Sequence, residues 1–189
     1  DSVLAQDYDD IEYIIIDGGS KDGTVDIVKS YGTRITKFVS EKDKGIYDAM
    51  NKGVRMATGD VVGILNADDF FFDNYTISNI AEAFNNEPAL DATIADIVFV
   101  NDDNTRILRH YNARKWRPEK FAWGYMPPHP SFFCRRFMFD KLGYYKTDYK
   151  IAADYELLIR YLYVNRINYK YLPIKTTRMR MGGVSTRNI

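Results

Sequence analysis

The stretch that most constrains this chain is residues 61–72, which read VVGILNADDFFF. Its first five residues are apolar, and such a short run predicts a buried strand, parallel to its neighbours and covered on both faces. Asn66, Asp68 and Asp69 follow directly. Carboxylates at the end of a dry strand are costly unless a cation meets them, and open α/β sheets bind ligands at this end of their strands. The stretch therefore predicts a metal and phosphate site, with a capped turn as the alternative.

The composition excludes several classes of protein. The 189 residues are 46% hydrophobic and 28% charged, and 26 basic residues balance 26 acidic ones. A net charge of zero argues against nucleic-acid binding driven by bulk electrostatics. No apolar run approaches the ~20 residues of a membrane span, and the single Cys134 cannot form an internal disulfide. We therefore expect a cytoplasmic protein whose residues 1–189 form one domain.

Charge is distributed unevenly along the chain. Residues 157–189 contain seven Lys or Arg and no Asp or Glu. This pattern predicts a solvated basic face, and the alternatives are peripheral contact with the inner face of a membrane or a wall that faces a diphosphate.

Strands and helices alternate through the first third of the chain. A β-branched strand closed by Asp17 is followed by a glycine-rich turn and a helix, which is half of a βαβ unit. The alternation predicts an α/β fold with a mainly parallel sheet flanked by helices. The predicted strands cover residues 12–17, 35–39 and 61–65, and the predicted helices cover 25–31 and 46–57.

The second part of the chain mixes helices with shorter strands. An irregular segment rich in proline and aromatic residues, 113–130, predicts a surface element such as a substrate wall. Residues 175–189 read as a basic tail. The predicted helices cover 75–84, 137–142 and 152–163; the predicted strands cover a hairpin of 94–100 and 106–111, then 131–133 and 168–172.

Three acids stand where chemistry can occur. Parallel strands present their carboxyl ends at one edge of a sheet, so Asp17 and Asp68 are expected to line one crevice. Asp154 opens an amphipathic helix, where the helix dipole favours an acid. A general base beside the metal site is the functional alternative for Asp154.

Taken together, these motifs resemble the family-2 glycosyltransferases of the GT-A fold. The blocks that carry the resemblance are EYIIIDGGSKDGT, SEKDKGIYDAMNKGVRMATGD and VVGILNADDFF, followed by HPSFF, IAADYELLIR and GGVS. They span nearly the whole chain in the family's order. The resemblance implies a Rossmann-like GT-A fold with a mixed, mainly parallel sheet flanked by helices. The family opens with a strand that contacts the donor base, and the resemblance implies that this first strand is missing here.

The resemblance also implies a function. A UDP- or GDP-sugar would donate its sugar, with inversion, to the hydroxyl of a carbohydrate or lipid-linked acceptor in polysaccharide or glycoconjugate synthesis, with Mg²⁺ or Mn²⁺ bound. Asp68 resembles the metal-binding acid, Asp154 the catalytic base and Asp17 the acid that contacts the donor base. Asn66 stands at the first position of the DxD-like motif, where it offers an oxygen without charge. Further donor contacts are implied for Gly19, Lys44, Gly45, Asp48, Ala67 and Asp69, and contacts to the acceptor or the diphosphate for His129, Trp123, Arg178, Arg180 and Ser185.

Two other functions stay open. A sugar-1-phosphate nucleotidyltransferase shares the sheet and the need for metal, but we expect an arginine in its glycine-rich loop, and GGSKDGT has none. A non-catalytic module that binds nucleotides or carbohydrates is favoured by Asn66 and by the missing first strand.

Overall fold

The computed structural model describes residues 1–181. Strands and helices alternate up to β3, as the sequence predicts, and later in the chain strands also follow one another directly. The strands are β1 (Ile14–Asp17), β2 (Lys37–Ser40), β3 (Val61–Gly63), β4 (Phe70–Phe71), β5 (Ala92–Val100), β6 (Ile107–Tyr111), β7 (Phe133–Arg135) and β8 (Tyr169–Arg180). The α-helices are α1 (Thr24–Ser30), α2 (Ile46–Met56), α3 (Thr76–Asn86), α4 (Phe137–Leu142) and α5 (Ala153–Leu158).

The described strands form two sheets. A parallel pair joins β1 to β2, and a larger sheet has the order β3-β7-β5-β8-β4 with β6 on the other side of β5. The β5–β8 pairing is parallel, whereas β3–β7, β4–β8, β5–β6 and β5–β7 are antiparallel. The predicted α/β fold with a mixed sheet and flanking helices is confirmed. The expectation of a mainly parallel sheet is wrong for these strands, because most of the pairings in the larger sheet are antiparallel.

Strand β3 differs from the strand predicted at residues 61–65. It ends at Gly63, its residues are half-buried or exposed, and it runs antiparallel to β7. Gly63 lies opposite Phe133, and a Cβ at this glycine would come within 2.1 Å of the Phe133 ring. The prediction of a fully covered parallel strand is therefore wrong, because β3 is partly exposed and pairs antiparallel. The ring of Phe133 lies directly over its glycine.

Strand β8 is longer than the strand predicted at residues 168–172. Pro173 falls where the register of the β5–β8 pairing shifts. Proline lacks a backbone N–H and is tolerated at such irregularities, so the strand continues past it. Residues 175–180, expected in a basic tail, therefore belong to the sheet and lie beside β4.

Helix α2 begins after Gly45 and agrees with the predicted amphipathic helix. Its buried face carries Asn51 and Val54. Gly53 lies against β1, because a Cβ at this position would sit 3.5 Å from the side chain of Ile16. The helix is thus held between β1 and the core.

The helix predicted at residues 152–163 has two parts. Helix α5 continues as a π-helix over Ile159–Val164. Arg160 donates to both carboxylate oxygens of Glu156, at 3.0 and 2.9 Å, and to the carbonyls of Gly143 and Tyr144, at 2.7 and 2.8 Å. A bidentate ion pair that also binds two carbonyls fixes the preceding loop against α5.

The helices of the described residues are too short or too polar to cross a membrane. The cations of the basic segment are largely engaged within the fold. Lys170 pairs with Glu87, and the side chains of Lys175 and Arg178 lie over the ring of Phe72 at 5.1 and 5.0 Å. Lys175 and Arg178 are half-buried, whereas Lys170 is exposed, so the solvated basic face stays a prediction.

Candidate active site

Asp17 closes β1 and organises the glycine-rich turn after it. Its carboxylate accepts hydrogen bonds from the backbone amides of Gly19 and Ser20, at 3.1 and 3.0 Å, and from the hydroxyls of Ser20 and Ser40. The two serine hydroxyls lead the causes that lower the pKa of Asp17 to about 2. Asp17 is 8% exposed; its Oδ2 accepts three of these bonds and its Oδ1 accepts one. Its observed role is to hold the turn, and its contact with a donor base stays a prediction.

Asp43 joins the glycine-rich turn to the start of α2. A Cβ at Gly18 would lie 2.6 Å from Oδ2 of Asp43, so the Asp43 side chain packs closely against this glycine. Oδ1 of Asp43 accepts the amide of Gly45 at 2.9 Å, and Oδ2 of Asp48 accepts the amide of Lys44 at 3.0 Å. The residues implied to contact the donor therefore form one ordered segment beside the turn.

The turn after β3 presents its two acids differently. Asp68 is exposed beside Ala67, whereas Asp69 is buried at 5% exposure. Oδ2 of Asp69 accepts the side-chain amide of Asn66 at 3.0 Å. Burial raises the pKa of Asp69 to about 6, against the opposing hydrogen bond from Asn66. Asn66 thus orients Asp69.

Two polar atoms at this turn are buried without a hydrogen-bond partner among residues 1–181. They are Oδ1 of Asp69 and Nε of Arg180. The backbone amide of Arg180 also interacts with the Asp69 carboxyl, and the Arg180 guanidinium lies 5.0 Å from the ring centre of Phe70. A buried polar group without a partner is expensive, so both atoms are suited to a polar ligand.

The turn fits a hard divalent cation that shares its coordination with a ligand. Within residues 1–181, His, Cys, Asp and Glu side chains form no cluster of three that could hold an ion by itself. Mg²⁺ commonly takes one or two carboxylates and completes its shell with phosphate oxygens and water. Asp68 and the unpartnered oxygen of Asp69 supply that kind of donor set.

Asp154 lies in the first turn of α5, where the helix dipole stabilises a carboxylate. The hydroxyl of Tyr47, on α2, donates to Oδ1 of Asp154 at 3.1 Å. Ala152, the residue before α5, has a φ of 71°, a left-handed conformation that is strained for alanine. Helix α5, which carries Asp154, therefore begins directly after a residue with a strained backbone conformation.

His129 lies inside the fold next to this acid. It is 7% exposed, and its Nε2 is 2.8 Å from the hydroxyl of Tyr145. Burial lowers the pKa of His129, and the charge of Asp154 opposes that shift. Its observed partner is Tyr145, and contact with an acceptor or diphosphate stays a prediction.

Trp123 and Tyr125 are strongly exposed aromatic residues, at 78% and 62% exposure. They lie at the end of a 3₁₀-helix, Pro118–Trp123, which is tied to α5 because Phe121 accepts the hydroxyl of Tyr155 at 2.8 Å. Trp123 therefore does not serve as core packing. Ser185 lies outside the described residues.

The candidate residues fall into three groups: the Asp17 turn, the turn of Asn66 to Asp69, and the surroundings of Asp154. No hydrogen bond or ion pair joins the three groups in the part of the chain that the structure describes. β1 and β3 also belong to different described sheets, so the expectation that one parallel sheet aligns Asp17 with Asp68 is not met. That all three groups line one crevice stays a prediction.

Several residues of these groups escaped the sequence interpretation. Their contacts span many positions of the chain, as with Tyr47 and Asp154, which are 107 residues apart. Ser20 was detectable in principle, because a serine three residues after a strand-closing acid commonly bonds it. The missed residues are Ser20, Ser40, Asp43, Tyr47, Asn51 and Tyr145.

The known proteins that this chain resembles in sequence are glycosyltransferases. The family profile described as "Glycosyl transferase family 2" matches residues 1–145. The chain is 30% identical over 166 residues to a PGL/p-HBAD biosynthesis glycosyltransferase of Mycobacterium bovis, covering 85% of this chain and 61% of that protein. It is 32% identical over 162 residues to an uncharacterized glycosyltransferase of Mycobacterium tuberculosis, covering 84% of this chain and 60% of the relative. The chain thus spans about three fifths of these relatives' length.

Solved structures share the fold. S. aureus TarS 1–349 in complex with UDP-GlcNAc superposes with a TM-score of 0.78 at 17% identity, covering 100% of this chain and 55% of that one. The mannosyltransferase PcManGT from Pyrobaculum calidifontis, in complex with GDP-Man and Mn²⁺, gives 0.69 at 19% identity, with coverages of 98% and 52%. These similarities confirm the GT-A fold expected from the sequence. With its family profile matched over residues 1–145, the chain belongs to glycosyl transferase family 2.

Proposed function

We propose that this chain transfers a sugar, with inversion, from a nucleoside-diphosphate donor to an acceptor hydroxyl in polysaccharide or glycoconjugate synthesis. Family membership supports the reaction class. The structural neighbours hold UDP-GlcNAc and GDP-Man, which supports a UDP- or GDP-sugar as donor. The acceptor is a carbohydrate or a lipid-linked carbohydrate.

The observation that carries this proposal is a pair of buried polar atoms that have no hydrogen-bond partner among residues 1–181. One lies in the turn after β3 and the other in β8, beside that turn. Oδ1 of Asp69 is an acceptor that suits a cation, and Nε of Arg180 is a donor that suits a phosphate oxygen. A ligand that carries both a divalent cation and a diphosphate would satisfy both atoms at once. In this proposal Asp68, with Asp69 beside it, holds Mg²⁺ or Mn²⁺, and the bound ion offsets negative charge on the diphosphate.

The donor side of the site is formed by the Asp17 turn and by the segment at the start of α2. The Asp17 turn, with Gly19, lies beside the segment of Lys44, Gly45 and Asp48. We assign the nucleoside to this surface. A base that contacts the Asp17 carboxylate would bond to Oδ1, which accepts one hydrogen bond where Oδ2 accepts three.

Asp154 is the proposed base. It accepts the proton of the acceptor hydroxyl while that oxygen bonds to the anomeric carbon and the bond from this carbon to the diphosphate breaks. A single displacement of this kind inverts the anomeric configuration. Arg178 and Arg180 face the leaving diphosphate in this proposal, and Trp123 with Tyr125 offers exposed rings on which an acceptor sugar can stack.

Donor binding is tested by a thermal-shift screen of UDP- and GDP-sugars with and without Mn²⁺. We expect one donor to raise the melting temperature, and more so with Mn²⁺, because a ligand of the folded state stabilises it. Asp68→Asn should remove the Mn²⁺-dependent part, and the matched change Asp60→Asn, at an exposed residue before β3, should leave it intact.

The products then identify the reaction. Release of nucleoside diphosphate supports transfer, and release of pyrophosphate would instead identify a nucleotidyltransferase. Binding of a donor without turnover, in any acceptor tested, would identify a binding module.

A further inference from the structure

We infer that Tyr47 is a positioning residue for Asp154, which it orients so that the second carboxylate oxygen faces the acceptor hydroxyl. This inference rests on the proposed function, because it takes Asp154 as the base. The hydroxyl of Tyr47 donates to Oδ1 of Asp154 at 3.1 Å. Among residues 1–181, no hydrogen bond to Oδ2 is found, so this oxygen is available for a proton.

The direction of the hydrogen bond follows from the chemistry of the two groups. An ionised carboxylate only accepts, so the phenol must donate. Burial, followed by the charge of Asp154, raises the pKa of Tyr47, which keeps the phenol protonated. The backbone amides of Ala153 and Ala152 act in the opposite sense and lower this pKa, but the upward shift prevails.

Tyr47 is itself held in place from its own helix. Its ring is stacked on the ring of Tyr145, with centroids 6.0 Å apart and planes 16° apart. The backbone of Tyr145 exchanges two hydrogen bonds with the side chain of Asn51, at 2.8 and 2.9 Å. Asn51 lies one turn after Tyr47 on α2 and is 2% exposed. The stacking partner is thus fixed to the helix that carries Tyr47, which limits the positions open to the phenol.

Three titratable side chains face Asp154 from the elements around it: Tyr47, His129 and Tyr145. Burial lowers the pKa of His129 and raises that of Tyr145 well above its ordinary value. Both are therefore uncharged near neutral pH. Of the three, Tyr47 donates directly to the carboxylate, so its hydroxyl is the group whose removal should change the orientation of Asp154.

The test is Tyr47→Phe, with Tyr144→Phe as the matched control. Tyr144 also donates its hydroxyl to a carboxylate, at 2.6 Å, but the acceptor is the exposed Asp140. Carbon-13 NMR of the side-chain carboxyl groups at pH 7 follows the Asp154 signal, which is assigned by its loss in Asp154→Asn. We expect Tyr47→Phe to shift this signal, because the hydrogen bond to Oδ1 is lost. Tyr144→Phe should leave it unchanged.

Turnover gives a second readout on the donor found by the thermal-shift screen. Tyr47→Phe should lower kcat about tenfold, move the acidic limb of the kcat profile to higher pH, and leave KM for the donor within about twofold. A merely structural role would lower the amount of folded protein without moving that limb. Thermal melts of both tyrosine variants check that they fold.

These outcomes distinguish the role of Tyr47 as a positioning residue from the role of Asp154 as the base. If Tyr47→Phe leaves both the Asp154 carboxyl signal and the acidic limb of the kcat profile at their wild-type positions, the positioning role is wrong. If Asp154→Asn keeps wild-type turnover, the base assignment fails, and the effect of Tyr47→Phe on the Asp154 signal still decides whether Tyr47 holds the carboxylate.

Discussion

Replacing Gly63 with alanine should destabilise the fold strongly for so small a change. The added Cβ would lie 2.1, 2.4 and 2.7 Å from three carbons of the Phe133 ring, whereas ordinary contacts begin at 3.4 Å. The ring or the strand must therefore move by more than 1 Å. Phe133 is 6% exposed and lies against Phe71, with ring centroids 6.4 Å apart, so the ring has little room.

The expected cost lies at the upper end of overpacking effects, about 3 kcal/mol. For a chain of this size that corresponds to a fall in Tm of roughly 6–12 °C. Urea unfolding and thermal melts measure both quantities. The matched control is Gly59→Ala, just before the same strand, because a Cβ there would come no closer than 3.9 Å to any atom that is not a neighbour in the chain. This control should be neutral or slightly stabilising.

A double variant tests the cause. If the clash with the ring is responsible, adding Phe133→Leu to Gly63→Ala should cost at least about 1 kcal/mol less than the sum of the two single changes. If Gly63→Ala were as stable as Gly59→Ala, or if the two changes were simply additive, the contact between this glycine and the ring would not be what excludes other residues from β3.

Two further predictions concern stability. Burial raises the pKa of Glu12, but hydrogen bonds from Lys37, Thr58 and Gly59 outweigh it and lower the value to about 2, from the ordinary 4.5. A lowered pKa stabilises the fold above about pH 4.5, and this contribution is lost as the pH falls towards 2. Glu12→Gln should therefore lower the free energy of unfolding, measured by urea titration, by about 2 kcal/mol at pH 7 and by much less at pH 3. A cost that does not change with pH would contradict this. Ala152→Gly should raise the free energy of unfolding by about 0.5 kcal/mol. Relief of the backbone strain at a φ of 71° stabilises the folded state by more than the added entropy stabilises the unfolded chain. A loss of stability would show that the position is not strained.

Local patterns allowed much of the fold to be predicted. β1, its closing Asp17 and the glycine-rich turn follow from residues adjacent in the chain, and α2 follows from its apolar spacing. The partner of β3 did not follow, because β7 lies about 70 residues further along the chain and pairs with it antiparallel. The length of β8 was missed because Pro173 suggests an end, and the shift in register that accommodates it depends on β5.

The candidate site was predicted less completely than the fold. The acids at strand ends and at the start of α5 are visible as residue types in suitable places. That Asp69 is buried while Asp68 is exposed depends on how the turn packs, which residue order alone does not determine. Tyr47 and Tyr145 read as ordinary aromatics, and only the folded chain brings them to Asp154 and His129.

The central claim is that Asp154 removes the acceptor proton during sugar transfer to which bound Mn²⁺ contributes. The most direct measurement is the rate of nucleoside diphosphate release from the donor in the presence of Mn²⁺, compared between the wild type and Asp154→Asn. We predict a fall of about 10²–10⁴-fold, with the donor-induced thermal shift preserved. Equal rates in the two proteins would contradict the account.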